Sequence, residues 1–173
     1  MKETEVKILE VNPTKIRNIL KKHKAKLVMP KNLQGNYFYA NKEIDKKGVI
    51  RLRKNILGNT IAFKSKVKFV KGVKTMEEHE TRIENIKEAK SGLKTIGLKQ
   101  IGAVEVMRED WKLYNCLVSI MKFPKMPELI EIEGSKPNIK KVANLLGYTE
   151  KDYYPKMIYD KYKIKTKFLK FRK

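Results

Sequence analysis

The chain has 173 residues, of which 41% are hydrophobic and 35% charged, a composition typical of one soluble globular domain. The formal net charge of +22 favours polyanionic ligands, although a solvated lysine surface explains the excess equally well. No apolar stretch is long enough to span a membrane and the N-terminus is charged, so we expect a cytoplasmic protein. Cys116 is the single cysteine, which excludes an internal disulfide and a cysteine-based metal site.

Charged and apolar residues alternate strictly at the start of the chain, in residues 3–9. A strand places Glu3, Glu5 and Lys7 on one face and apolar side chains on the other face. A charged face ordinarily meets water, so one such segment alone indicates a solvated edge strand. The alternation at residues 3–9 therefore indicates more than an edge strand only if it recurs along the chain.

The same alternation returns along the chain at residues 50–53, 61–66 and 130–133. Because some of these strands are acidic and others basic, we predict that their charged faces surround a common space while their apolar faces pack against helices. The predicted fold class is α+β, an antiparallel β-barrel with a charged lumen, covered outside by helices. A weak internal repeat, in which an ExE strand precedes an amphipathic helix, supports this organisation.

The other elements follow from turn and capping signals, with Pro30 expected to end the first helical region. The predicted strands are residues 3–9, 34–39, 49–54, 61–66, 76–84, 103–110, 112–122 and 129–133. The predicted helices begin at Asn12-Pro13, Ile86, Pro137 and about Glu150, the last continuing to Tyr162. Residues 41–48 and 70–74 are predicted polar connections. The whole of 1–173 is expected to form one domain with a basic tail at about 163–173, for which disorder is the expectation.

An ordered series of charged residues runs through most of the chain. It opens with the ExExK signature of Glu3, Glu5 and Lys7. Its later members are Arg51-Leu52-Arg53, Lys64, Glu78-His79-Glu80, Arg108 and Glu131-Ile132-Glu133-Gly134. This series resembles the CYTH domain family, also called triphosphate tunnel metalloenzymes, which includes class IV adenylate cyclases, thiamine triphosphatases and inorganic triphosphatases.

The resemblance implies a tunnel in which basic residues bind a triphosphate and glutamates hold a divalent cation, Mg²⁺ or Mn²⁺. The implied metal ligands are Glu3, Glu5, Glu131, Glu133, Glu78 and Glu80. The implied triphosphate-binding residues are Lys7, Arg51, Arg53, Lys64 and Arg108. Lys66 joins them because it lies on the same predicted strand face as Lys64, and a solvated lysine is the alternative. The expected ligand is ATP, tripolyphosphate or thiamine triphosphate, and the expected assembly is a monomer or homodimer.

Two positions depart from the family pattern. Val106 stands where the family usually has a lysine, two residues before the matched Arg108. Met121 stands where the family usually has an aspartate that is associated with metal binding and catalysis, so no catalytic residue is assigned. Glu109 and Asp110 are the nearby carboxylates that remain as replacements.

The first prediction of function is a divalent-metal-dependent enzyme that hydrolyses a triphosphate-containing substrate or cyclises ATP. The alternative is a non-catalytic protein that binds a triphosphate, a nucleotide or polyphosphate and has lost its chemistry with Val106 and Met121. Binding of nucleic acid through the net charge is less favoured, because aromatic residues are only 9% of the chain and no nucleic-acid motif is present.

Overall fold

The computed structural model describes residues 2–164 and 167–171. The strands are β1 Lys2–Leu9, β2 Lys26–Ala40, β3 Gly48–Asn55, β4 Gly58–Val70, β5 Val73–Ile83, β6 Lys99–Leu113, β7 Cys116–Lys122, β8 Glu128–Glu133 and β9 Phe168–Leu169. The helices are α1 Pro13–Lys22, α2 Lys42–Asp45, α3 Ile86–Thr95, α4 Lys136–Leu145 and α5 Ile158–Lys161. A 3₁₀ turn covers Glu150–Asp152. No helix in these ranges is long and apolar enough to cross a membrane.

Eight strands close into an antiparallel barrel in the order β2-β3-β4-β5-β1-β8-β7-β6, and pairing of β2 with β6 completes the ring. The ninth strand, β9, runs parallel to β6 and pairs with it at Ala103 and Val104, beyond the part of β6 that β7 covers. The helices lie outside the barrel. The predicted α+β fold, a barrel covered by helices, is therefore confirmed.

The outer face of the barrel is apolar and carries the hydrophobic core. Val6 and Ile8 of β1 pack with Ile130 and Ile132 of β8 under the helices α1 and α4. The helices contribute the fully buried side chains Ile16, Leu20, Ile139 and Val142. Each such side chain contributes about 1.5–3 kcal/mol by leaving water. Because Val6, Ile8, Ile130 and Ile132 point outward, the charged residues that alternate with them point into the lumen.

The N-terminus of α1 forms as the sequence predicts. The Asn12 side chain accepts a hydrogen bond from the backbone N–H of Lys15 at 3.0 Å, and Pro13 occupies the first turn, where its missing N–H costs nothing. The hairpin between β6 and β7 differs from the prediction. Its turn is Tyr114-Asn115, both with positive φ, whereas the sequence interpretation divided the strands near Trp111 because no glycine marks the turn.

Two predictions for segments that contain a proline are wrong. Pro30 lies inside β2, within a shift of the register with β6 between Met29 and Asn32, so the irregular pairing accommodates the missing N–H. The helix predicted from Glu150 to Tyr162 does not form, since Pro155 interrupts it. Only the 3₁₀ turn and α5 are helical there.

The polar connections are shorter than expected. Residues 41–48 contain α2, and β4 and β5 continue to a two-residue turn at Lys71-Gly72. Within the predicted basic tail, Leu169 of β9 is buried, and the Ala103 N–H donates to the Lys167 carbonyl at 2.9 Å. Residues 165, 166, 172 and 173 of that tail lie outside the described part of the chain.

Gly72 provides a test of how the β4–β5 turn supports the C-terminal segment. Its φ is +78°, and a Cβ there would lie 2.5 Å from Cβ of Tyr153. Gly97 has a similar φ of +84° but open space around it, so it is a matched control. We expect Gly97→Ala to cost about 1 kcal/mol through backbone strain alone. Gly72→Ala should cost about 2–4 kcal/mol in urea unfolding, because Tyr153 must also move. Equal costs would show that this contact carries no stability.

Candidate active site in the barrel lumen

The lumen encloses a cavity of about 630 Å³. Among the described residues, its cationic lining comprises Lys2, Lys7, Arg51, Arg53, Lys64, Lys74, Arg108 and Lys156. Its acidic lining comprises Glu3, Glu5, Glu78, Glu80, Glu131 and Glu133. The structure thus brings together in one cavity all six predicted metal-ligand candidates and five of the six predicted triphosphate-binding residues.

One group of ion pairs lies on β3, β4 and β5. Arg51 Nη2 is 2.7 Å from Glu78 Oε1 and 2.5 Å from Glu80 Oε2. Arg53 Nη1 is 3.5 Å from Glu80, and Lys64 pairs with Glu78. The Nε atoms of both arginines are buried without a hydrogen-bond partner among the described residues, which leaves two donors for an anionic ligand.

A second group lies where β1 meets β5 and β8. Lys7 pairs with Glu5 and lies 2.6 Å from Glu131 Oε2. Burial alone would lower the pKa of Lys7, but the charges of Glu131 and Glu5 outweigh it and raise that pKa well above its usual value. In turn, burial would raise the pKa of Glu131, but Lys7 and Arg108 hold it well below its usual range. These groups therefore stay charged near neutral pH.

Register places Ser119 and Asp110 beside this group. Glu131 pairs across strands with Ser119, and Ser119 pairs with Asp110, so the three side chains share the inner face. Arg108 Nε lies 2.8 Å from Asp110 Oδ1, and its Nη2 lies 2.8 Å from Ser119 Oγ. Asp110 is thus the carboxylate of β6 that lies on the inner face and orients Arg108.

Glu109 points the other way. It accepts hydrogen bonds from Arg17 Nε at 3.0 Å and from Trp111 Nε1 at 2.7 Å, outside the barrel wall. Because Arg17 belongs to α1, this network joins the helix to the barrel. Of the two carboxylates considered as replacements for the missing aspartate, the geometry leaves only Asp110.

Carboxyl groups also crowd one another in the lumen. Burial, a hydrogen bond to Glu78 and repulsion from Glu78 and Glu133 raise the pKa of Glu3 to about 8, although Lys64 opposes the shift. For Glu78, burial is outweighed by the hydrogen bond from Glu3, by Arg51 and by Lys64, which lower its pKa to about 2. Burial, then Glu131 and Glu5, raise the pKa of Glu133. At neutral pH, the Glu3 carboxyl group is therefore protonated and donates this shared proton in a hydrogen bond to the Glu78 carboxylate.

The donor chemistry of this cluster fits a hard divalent cation. Magnesium and manganese prefer carboxylate oxygens, and a cation would relieve the repulsion that the shared proton now relieves. Glu3, Glu78 and Glu133 are the residues that would hold it. Among the described residues no three His, Cys, Asp or Glu side chains converge as a ready metal site, and Lys64 pairs with both Glu3 and Glu78 in this arrangement.

Lys66 lies outside the lumen, which corrects the expectation that it shares a face with Lys64. A bulge follows Ser65, Lys66 adopts a φ of +51°, and the pairing with β5 resumes only at Lys68. The Lys66 side chain is 70% exposed and pairs with Glu77 at 3.0 Å. The extra residue of the bulge changes which side chains point inward, so strict alternation misassigned this position.

Sequence reasoning also missed cationic residues. Lys74 was placed in a polar connection, but β5 begins at Val73, and Lys74 Nζ lies 2.9 Å from Glu5 Oε1 inside the cavity. The strand register puts it there, since Lys74 pairs directly with Glu5 across β5 and β1, and no local sequence signal indicates that pairing. Lys2 and Lys156 line the cavity as well.

Val106 and Met121 belong to an apolar part of the lumen. They pack in one cluster with Leu129 of β8 and Ile158 of α5, and all four side chains are at most 4% exposed. The C-terminal segment is fixed there by the Tyr154 N–H, which donates to the Lys7 carbonyl at 2.8 Å. The two departures from the family pattern thus coincide with the wall that this segment covers.

Structures with the same fold are known. The PH1012 protein from Pyrococcus horikoshii OT3 has a TM-score of 0.75 and 24% identity, over 91% of this chain and 98% of its own. A candidate adenylate cyclase from Vibrio parahaemolyticus has a TM-score of 0.78 and 14% identity, over 91% and 95%. A candidate adenylyl cyclase from Hippeastrum, with a dominant triphosphatase activity, has a TM-score of 0.67 and 16% identity, over 95% and 96%.

No curated protein gives a significant match to the chain. The family model of the CYTH domain, however, matches residues 1–165, nearly the whole sequence. The barrel topology and the lumen that gathers the charged series agree with that match. The chain therefore belongs to the CYTH domain family.

Proposed function

We propose that this protein is a divalent-metal-dependent phosphohydrolase whose substrate carries a triphosphate group bound in the barrel lumen. The observation that carries the proposal is the cavity itself, a space of about 630 Å³ surrounded by largely buried basic and acidic side chains such as Arg51, Lys64 and Glu131. A surface that merely needs solubility has no reason to bury these charges, since burial costs several kcal/mol per ion.

A triphosphate suits the cationic side chains by charge and shape. It carries several negative charges over a short chain, and the planar guanidinium forks of Arg51 and Arg53 match phosphate oxygens better than they match single carboxylate oxygens. The unpartnered Nε donors of both residues are the groups that such a ligand would satisfy. Lys7, Lys64 and Arg108 complete the contacts, each by exchanging a carboxylate partner for a phosphate oxygen.

The carboxylates have a separate role. Glu3, Glu78 and Glu133 would hold Mg²⁺ or Mn²⁺, with Glu5, Glu80 and Glu131 close by as further ligands or as partners of the freed cations. The bound metal supplies neutralisation of the phosphate oxygens and of the charge that develops during phosphoryl transfer. Arg108 of β6, which Asp110 and Ser119 orient, would bind the phosphate chain as well.

Hydrolysis is better supported than cyclisation. Cyclisation needs a ribose hydroxyl in line with the α-phosphorus, whereas hydrolysis needs only water at the terminal phosphorus. The relative from Hippeastrum has a dominant triphosphatase activity. The second candidate function, a non-catalytic triphosphate binder, is favoured by Met121, because an apolar side chain occupies its position in the lumen.

The first experiment measures products from tripolyphosphate, ATP and thiamine triphosphate with Mg²⁺ or Mn²⁺. We expect release of phosphate that chelation of the metal abolishes. Pyrophosphate together with cyclic AMP would instead establish a cyclase. Thermal stabilisation by these ligands without any product would establish the binding protein, and neither binding nor product would refute a triphosphate function altogether.

Double substitutions that remove charge distinguish the proposed triphosphate-binding residues from the proposed metal-binding residues. Arg51→Gln with Arg53→Gln should weaken metal-free binding of tripolyphosphate at least about tenfold, because two charge-assisted contacts are lost. Glu131→Gln with Glu133→Gln should instead weaken the dependence of triphosphate binding and hydrolysis on the divalent metal. Lys21→Gln with Lys22→Gln, which removes two exposed charges from α1, is the control for net charge. Unchanged calorimetric affinity in the arginine pair would place the ligand elsewhere.

The pH dependence of metal binding follows from Glu3. A proton competes with the cation below the Glu3 pKa of about 8, so affinity for Mg²⁺ should rise as pH increases from 6.5 to 8.5. The rise should approach about tenfold per pH unit while Glu3 is protonated, and it should level off above pH 8. Titration calorimetry at several pH values measures it. Glu3→Gln should bind the ion more weakly and without this slope, and a slope that survives in that variant would assign the proton to another group.

A further inference from the structure

We propose that Lys74 is an additional triphosphate-binding residue, which Glu5 holds in place until the ligand arrives. The inference rests on the proposed function, since it assigns a further residue to the same lumen. No motif in the sequence indicates Lys74, and its position follows from the structure alone. It is the second residue of β5, just beyond the turn at Lys71-Gly72.

The surroundings of Lys74 suit an anion contact. Its side chain is only 16% exposed and lies in the cavity. Phe69, its direct cross-strand neighbour on β4, also lines the cavity and is apolar. Because water is partly excluded there, attraction between the ammonium group and a phosphate oxygen is stronger than at the protein surface.

Of the three lumen lysines Lys7, Lys64 and Lys74, Lys74 is the one that a ligand displaces most easily from its carboxylate. Lys7 lies between two carboxylates, Glu5 and Glu131, and Lys64 reaches both Glu3 and Glu78. Lys74 has one carboxylate within ion-pair distance among the described residues. Moreover, Lys7 and Lys74 both reach the same oxygen, Oε1 of Glu5. Glu5 keeps a partner when Lys74 turns to a phosphate, so the exchange leaves no buried charge alone.

The opposite explanation is that Lys74 only neutralises Glu5. The two explanations differ in what happens when Glu5 loses its charge. If Lys74 serves Glu5 alone, removing the lysine has no effect on ligand binding once Glu5 is neutral. If Lys74 binds phosphate, its loss weakens binding whether or not Glu5 is charged. A double-mutant cycle therefore separates them.

The test is calorimetric titration of tripolyphosphate into the full chain without divalent metal, so that the measurement does not depend on turnover. Lys74→Gln should raise the Kd at least about tenfold, and Lys74→Arg should restore most of the affinity. Lys66→Gln, on the same hairpin but outside the barrel, should bind like the wild type. In the Glu5→Gln background, Lys74→Gln should still weaken binding several-fold.

Equal Kd values for Lys74→Gln and the wild type would overturn the inference. So would an effect that disappears in the Glu5→Gln background. Circular dichroism and urea midpoints establish that each variant is folded. If the wild type itself fails to bind tripolyphosphate, the proposed function falls together with this inference, whereas a binding wild type with an indifferent Lys74 refutes the inference alone.

Discussion

The structure depends on the pairing of opposite charges inside a closed barrel. An isolated buried charge is costly, and the lumen avoids this cost by placing acidic and basic side chains on neighbouring strands. Lys7 on β1 meets Glu131 on β8, and Glu5 on β1 meets Lys74 on β5. Each contact joins two strands, so a slip of one residue would separate the charges inside and expose the apolar residues outside. The ion pairs in the lumen and the hydrophobic core outside the barrel thus require the same strand register.

This agreement explains why the sequence predicts the barrel well. Period-two alternation is a strong signal when both faces are constrained, as in β1, where Glu3 and Glu5 point inward and Val6 and Ile8 point outward. The signal fails where the backbone departs from a regular strand. At Lys66, a bulge adds one residue and turns the predicted inner side chain to solvent. No residue type in that stretch marks the bulge, so alternation alone could not find it.

Turn chemistry limited the prediction in a different way. The β6–β7 turn uses two non-glycine residues with positive φ, Tyr114 and Asn115, although such turns usually contain a glycine that makes them recognisable in the sequence. The C-terminal helix was overpredicted because apolar spacing suggested a helix while Pro155 forbade one. The segment is held instead by tertiary contacts, such as the packing of Ile158 on Val106 and Met121. Those contacts join distant parts of the chain, and no local pattern encodes them.

The seam between β2 and β6 has a consequence for how the molecule reaches its native state. It joins Lys26 to Lys112 and Ala40 to Lys99, so the ring closes between segments far apart in sequence. Closing such long loops costs entropy before any contact compensates it, and chains of this kind fold slowly. Hairpins of consecutive strands, such as β3–β4, β4–β5 and β6–β7, form from local contacts. Lys64 therefore meets Glu78 as soon as the β4–β5 hairpin forms. Lys7 of β1 meets Glu131 of β8 only after a long loop closes, and until then water and salt ions take the place of that contact.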